Sequence, residues 1–379
     1  MTTTFQRTRF TWLAYLLLAY FAFSQTIWGP IVPLLRQDLS LNYTQGGYHA
    51  TAFALGMVLA GILSDRVANR LGDGRAFWFG GSGMAFGALL LILAPTLIFT
   101  LSASFIMGLC GTILLVMIQS GLANAHGDAR GKAITEANVT ASIGSTVAPL
   151  AVGAFVVMAL NWRLVMLIPI GLFLLMLISN RTLPFPSLEQ NETKAKRGTF
   201  SFGFWVSWLG LVLSVAAEWS IAFWTADFLI TVLGQSAGIA TASVAIFTAS
   251  GIVGRLTASR LAQRFNDRHL LIGMLILALF GALIFRFSGS LMLAWSGLAI
   301  MGFGVATVYP LGVSTLITYA PEQSNRASAR ASLGAAIAIL VAPQVLGIVA
   351  DMTDIATAST MIPLLILGTL ILTGLGKKA

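Results

Sequence analysis

The chain has 379 residues, 57% of them hydrophobic and only 9% charged, with a mean hydropathy of +0.87. A soluble domain carries about 25% charged residues. One cysteine and three histidines exclude a disulfide framework and a cysteine-based metal centre, so neither metal nor cofactor is expected.

Apolar runs of about 20 residues, the length that crosses a bilayer, recur along the whole chain. Backbone groups in hydrocarbon must pair internally, and runs this long and uniformly apolar fit helices rather than barrel strands. The expectation is an all-α polytopic membrane protein with the lipid bilayer as its surroundings. Twelve spans are predicted, near 10–36, 44–64, 76–95, 97–122, 134–159, 162–180, 204–233, 237–258, 269–287, 290–318, 330–350 and 355–375. The first follows Arg7 and Arg9 and contains Ala22–Ser24, a sequence like a leader cleavage site. The apolar character continues to Leu35, so it is read as a span and not a removed leader. The one long polar connection is LPFPSLEQNETKAKRGTF, 183–200. The predicted organisation is a six-helix bundle over 1–182, a cytoplasmic linker over 183–200 and a second six-helix bundle over 201–379.

With a cytoplasmic N-terminus, 19 of the 22 lysines and arginines fall on the inner side of these spans, Arg255 among them. Only Arg36, Arg163 and Arg286 fall outside. This is the positive-inside pattern. It predicts a multi-pass protein of the cytoplasmic (inner) membrane with both termini in the cytoplasm. It also accounts for the net charge of +9 without a nucleic-acid partner.

The chain repeats itself. At a shift of 194 residues, V-A-P-L-A-V-G, 147–153, falls on V-A-P-Q-V-L-G, 341–347, Gly108 falls on Gly302 and Pro169 on Pro363. At a shift of 190, Gly61 falls on Gly251 and Arg70 on Arg260. Two parallel repeats of six helices are typical of transporters that rock one half against the other around a site at the bilayer midplane.

Several stretches resemble the major facilitator superfamily of secondary transporters. After the second span stands G-I-L-S-D-R-V-A-N-R-L-G, 61–72, which is similar to the family's G-x-x-x-D-[RK]-x-G-[RK]-[RK] in Gly61, Asp65, Arg66 and Arg70 and departs from it at Ala68 and Asn69. G-I-V-G-R-L-T-A-S-R, 251–260, looks like a degenerate copy. N-W-R, 161–163, and G-F-G-V-A-T-V-Y-P, 302–310, are similar to the family's patterns in the sixth and tenth spans. The resemblance implies two pseudo-symmetric bundles working by alternating access. It also implies that Gly61, Asp65, Arg66 and Arg70 form a conformational latch, the aspartate facing a helix N-terminus whose free N–H groups favour an anion. A-S-I-G-S-T-V-A-P-L-A-V-G, 141–153, loosely resembles a Gly-Pro motif of exporters, with Ala148 before the proline. Gly144, Pro149, Gly153 and, in the second half, Pro343 and Gly347 are read as helix-bend packing positions. The arginine that many proton-coupled members carry four residues before the glycine of the fourth span is absent, Ser104 standing there.

The seventh span carries Glu218 within VAAEWSIAFW, 215–224. An ionisable group at the bilayer centre costs about 2.5–3.5 kcal/mol or more, which marks it as functional. It is predicted to carry the coupling proton. Helical spacing puts Ser207, Ser214 and Thr225 on its face. With Gln25, Trp28, Gln119 and Trp224, residues Ser214 and Thr225 make up the predicted substrate cavity, amide and aromatic groups suited to a small ligand with a few polar handles. Asp227 is read as a mouth residue. No lysine or arginine is predicted deep in a helix, so the substrate is expected to be neutral or cationic. No nucleophile–base pair, metal cluster or phosphate loop points to an enzyme. The reading is a monomeric, proton-coupled transporter of a small organic solute, with efflux ahead of uptake of a neutral solute such as a sugar. A transport-dead sensor on the same fold is the remote alternative, and would usually bring a sizeable soluble domain.

Overall fold

The computed structural model describes residues 5–186 and 199–375. Most of the predicted linker, 187–198, lies outside the described residues. Fifteen α-helices are described. They are α1 (Arg9–Thr26), α2 (Trp28–Leu39), α3 (Tyr43–Leu71), α4 (Asp73–Leu93), α5 (Leu97–His126), α6 (Arg130–Val157), α7 (Leu167–Asn180), α8 (Phe202–Thr231), α9 (Ala237–Leu261), α10 (Asp267–Arg286), α11 (Leu291–Val305), α12 (Val308–Tyr319), α13 (Ser324–Met352), α14 (Ile355–Ser359) and α15 (Met361–Leu375). Among the described residues, 11 segments are long and apolar enough to cross a membrane. One of them, Leu97–Val157, contains both α5 and α6, joined through Gly127 in the left-handed region (φ 50°). Counted separately, these two make the twelve expected spans, and the fold is the expected all-α polytopic one.

Prolines explain the excess of helices over spans. A proline has no N–H for the carbonyl four residues back. Pro30 cannot serve Thr26, Pro310 cannot serve Ala306 and Pro363 cannot serve Ser359. The chain breaks at these places: α1 ends at Thr26, α11 stops one residue before Ala306, and α14 ends at Ser359. Pro33, Pro149 and Pro343 sit inside continuous helices. Pro169 and Pro363, paired by the shift of 194, both stand third in their helices, α7 and α15, each after a short turn of helix.

The repeat is also visible in the packing. A Cβ on Gly108 would lie 2.1 Å from the Phe53 carbonyl oxygen, and one on Gly302 would lie 2.3 Å from that of Phe247. Gly87 meets Met107 and the Ala103 carbonyl, whereas Gly281 meets Met301 and the Gly297 carbonyl. Every residue in these contacts maps onto its counterpart by the same shift of 194. Small residues that let backbones touch are how membrane helices associate without a hydrophobic driving force.

The chain divides into two compact units, Met1–Trp28 with Ala52–Asn191, and Gly29–Thr51 with Glu192–Ala379. In the first, α1 lies along α6 and α5, and α4 along α5. Its core gathers Phe10, Tyr15, Tyr20, Phe21, Phe77 and Phe173. In the second, α8 is central and packs against α9, α12, α13 and α15. Residues 29–51, which the sequence assigns to the first bundle, are grouped with the second unit.

Candidate functional site

Glu218 is the 17th of the 30 residues of α8 and is half-buried. It interacts electrostatically with Arg255 of α9. Arg255 Nε in turn donates a 3.1 Å hydrogen bond to the carbonyl of Ala306. That oxygen is available because Pro310 has no N–H to give it. The approach is close because two glycines line α9. A Cβ on Gly254 would fall 2.1 Å from the Phe303 carbonyl oxygen, and one on Gly251 would be 3.1 Å from the Ala306 methyl. A guanidinium and a broken helix are thus brought together within the second unit, with the Glu218 carboxyl in range of the guanidinium's charge. Ala306 lies near the centre of the Leu291–Tyr319 span.

Arg255 itself is exposed. Hydropathy places Arg255 at the inner surface, six residues before the end of α9. Its side chain is held at the break between α11 and α12. One signal was present in the sequence: at the shift of 190, Arg255 occupies the register of Asp65.

The other predicted cavity residues are placed as follows. Ser214 and Thr225 are buried, and their hydroxyls donate to carbonyls of their own helix, those of Leu211 (2.8 Å) and Ile221 (2.6 Å). Trp224 is buried, and its indole N–H donates to the Pro343 carbonyl at 2.9 Å. Trp28 is buried, Gln25 half-buried and Gln119 exposed. A cavity of about 700 Å³ opens between α8, α10, α12 and α15, lined in part by Ser207, His269, Thr315, Tyr319 and Thr373. None of the predicted substrate residues lines it.

Of the latch residues, Gly61, Asp65, Arg66 and Arg70 are all exposed near the end of α3. Nothing lies within 4 Å of a Cβ built on Gly61. Of the bend positions, Gly144 is pressed on α1, where a Cβ would lie 2.3 Å from the Ala19 carbonyl oxygen. Pro149 and Gly153 are buried in α6. Gly347 of α13 is pressed on the Tyr43 backbone, where a Cβ would lie 2.8 Å from the Tyr43 carbonyl oxygen.

Sequence reading missed the polar cluster at the start of α1. Arg7 donates two hydrogen bonds to Glu136, Nε to Oε2 at 2.7 Å and Nη2 to Oε1 at 2.8 Å. The Tyr15 hydroxyl donates to the same carboxylate at 3.0 Å. The Glu136 carboxylate raises the Arg7 pKa through these hydrogen bonds and its charge.

Residues 14–343 match the model of the Major Facilitator Superfamily. An uncharacterised MFS-type transporter of Yersinia pestis is 26% identical over 252 residues, 65% of this chain. The chain spans 64% of the length of that relative. Among solved structures, the D-xylose–proton symporter superposes with a TM-score of 0.77 at 16% identity, covering 97% of this chain and 99% of that one. A bacterial homologue of the human lysosomal transporter Spinster, inward-facing and occupied, gives 0.73 at 18% identity over 97% and 94% of the two chains. The nucleoside transporter NupG gives 0.75 at 15% identity over 96% and 98%. At these identities the structures share the fold. With the family model matched over nearly its whole length, this multi-pass membrane protein belongs to the major facilitator superfamily.

Proposed function

We propose that the chain is a secondary transporter of a small organic solute, working by alternating access between a bundle over 1–182 and one over 201–379. Glu218 carries the coupling proton. The observation that carries this reading is the set of Glu218, Arg255 and the Ala306 carbonyl gathered within the second unit. A carboxyl group in low dielectric changes charge at a cost that its surroundings set, and a neighbouring cation that moves with the helices changes that cost. A proton is then taken up in one conformation and released in the other.

Arg255 bears on which of the expected substrates is favoured. The sequence leaves a neutral or a cationic solute open. An ionised Glu218 beside Arg255 has no net charge, which suits a neutral polar solute. Efflux is the proposed direction, on the exporter-like stretch Gly144–Gly153 and its tight seat on α1. The inner membrane, cytoplasmic termini and a monomeric state complete the reading. The latch role of Gly61, Asp65, Arg66 and Arg70 is proposed with it.

The test uses the full-length protein in proteoliposomes. A thermal-shift screen against a metabolite and drug library supplies the solute. Glu218→Gln keeps the shape and removes the titration. It is expected to abolish solute flux driven by a pH gradient while exchange of labelled for unlabelled solute continues. Full gradient-driven flux in this variant would overturn the assignment of Glu218.

A further inference from the structure

The cavity of about 700 Å³ in the second unit has a filled counterpart in the first. There the chain's own Phe185 and Pro186 take the space. The Phe185 ring lies 5.6 Å from that of Phe77, centre to centre. A Cβ on Gly121 would lie 2.9 Å from the Phe185 Cζ, and one on Gly74 would lie 3.2 Å from the Phe185 Cβ. Asn124 Nδ2 donates to the Pro186 carbonyl at 3.0 Å.

The shift of 194 carries these four contact residues, Gly74, Phe77, Gly121 and Asn124, onto Arg268, Leu271, Thr315 and Thr318. All four of the latter line the cavity. The two spaces are therefore one socket of the repeat, plugged by an aromatic ring in the first half and open in the second.

The second copy also differs in chemistry. Where the first half has Gly74, the second brings the guanidinium of Arg268. Its Nη2 donates to the Gly374 carbonyl at 2.7 Å. Its Nε is buried and has no hydrogen-bond partner among the described residues. A buried cationic donor without an acceptor is costly, and an anion is its strongest partner. The opposite wall is apolar, with Leu211, Leu271 and Val308 all buried.

The order of these groups follows the membrane normal. Arg268 is the first residue of the Arg268–Arg286 span, whereas Val308 lies near the middle of the Leu291–Tyr319 span. The charged end of the cavity thus stands at headgroup depth and the apolar end towards the hydrocarbon. Basic pockets between membrane helices take the heads of acidic lipids.

We propose that this cavity is a binding site for one acidic phospholipid. Arg268 holds the phosphate through its free Nε–H, and the apolar part of the lipid lies against Leu271 and Val308 in the space that Phe185 fills in the first half.

The test is native mass spectrometry of the full-length protein, stripped of lipid in a neutral detergent and titrated with phosphatidylglycerol. One molecule per chain should bind ahead of the rest. Arg268→Gln removes the charge-assisted contact and should weaken this first binding about tenfold. Thr315→Phe keeps Arg268, sets a ring in the socket as Phe185 does, and should abolish the first binding. Either variant decides the matter if the other does not fold. Arg264→Gln is the control, since Arg264 is exposed, lies outside the lining and removes the same charge. It should bind as the parent does. Unchanged first binding in a folded Arg268→Gln or Thr315→Phe variant, or an equal loss in the control, would overturn the site. Equal binding of phosphatidylcholine would overturn the preference for an acidic head. Equal binding of glycerol phosphate, the head without its tails, would overturn the lipid as occupant. The readout involves no transport, so its failure and that of the transporter reading are separate results.

Discussion

Arg255 Nε lies 3.1 Å from the carbonyl oxygen of Ala306, an acceptor released from helix bonding because the residue four positions on is Pro310. A backbone interruption in one span and a charged side chain in another thus satisfy each other. Both would be costly alone: an unpaired carbonyl in hydrocarbon costs several kcal/mol, roughly, and so does an unpaired charge.

Pro310→Ala should restore the N–H and let Ala306 rejoin a continuous helix. A proline inside a helix costs about 3 kcal/mol, so the melting temperature in detergent should hold or rise. Solute flux should fall, because Arg255 loses its anchor. A parallel drop in melting temperature and flux would show the break to be purely structural.

The Glu218–Arg255 pair is open to a double-mutant cycle. Glu218→Gln, Arg255→Gln and the double variant should show a coupling of about 0.5–3 kcal/mol in stability, the range for residues in one polar network. Arg255→Gln should lower gradient-driven flux. Additive stabilities would mean that the two side chains act independently.

The glycine contacts predict where alanine is tolerated. Gly108→Ala and Gly302→Ala push a methyl into a backbone carbonyl and should each cost about 1–3 kcal/mol, as overpacking does. Gly273 of α10 has nothing within 4 Å of its Cβ position. Its alanine variant should be neutral or more stable by about 0.5–1 kcal/mol. Melting curves of the three purified variants check the order.

For Asp354, hydrogen bonds from the Thr357 backbone and side chain hold the carboxyl below the usual aspartate range. A carboxylate with a lowered folded-state pKa adds stability that is present above its unfolded pKa and lost as pH falls through the folded value. Its contribution should disappear below about pH 4. A melting series across that range should show a small acid-sensitive step that Asp354→Asn removes.

Reporter fusions check the topology. Fusions after Arg70, Arg197 and Lys378 should all read cytoplasm. A periplasmic signal after Arg197 would break the two-bundle organisation.

The spans were legible because hydrocarbon permits few alternatives: a long apolar run has to be a helix. The breaks after Thr26, Val305 and Ser359 were legible in principle, since each precedes a proline by four or five residues. Tertiary pairing was not legible. Arg7 meets Glu136 across 129 positions and Arg36 meets Asp227 across 191, and neither separation leaves a periodic trace. The bond from Arg255 to Ala306 was missed for a related reason. Hydropathy locates a Cα along the membrane normal, whereas a long side chain carries its charge to wherever an acceptor is open.

Because α11 stops at Val305 and α12 starts afresh at Val308, the tenth span is two half-helices, each with its own macrodipole. The C-terminal end of α11 carries about half a negative charge, and the guanidinium of Arg255 is bonded at that end. The backbone thus provides a fixed counter-charge for Arg255 that does not titrate. In the proposed mechanism, protonation of Glu218 would leave the arginine still partly balanced by the backbone.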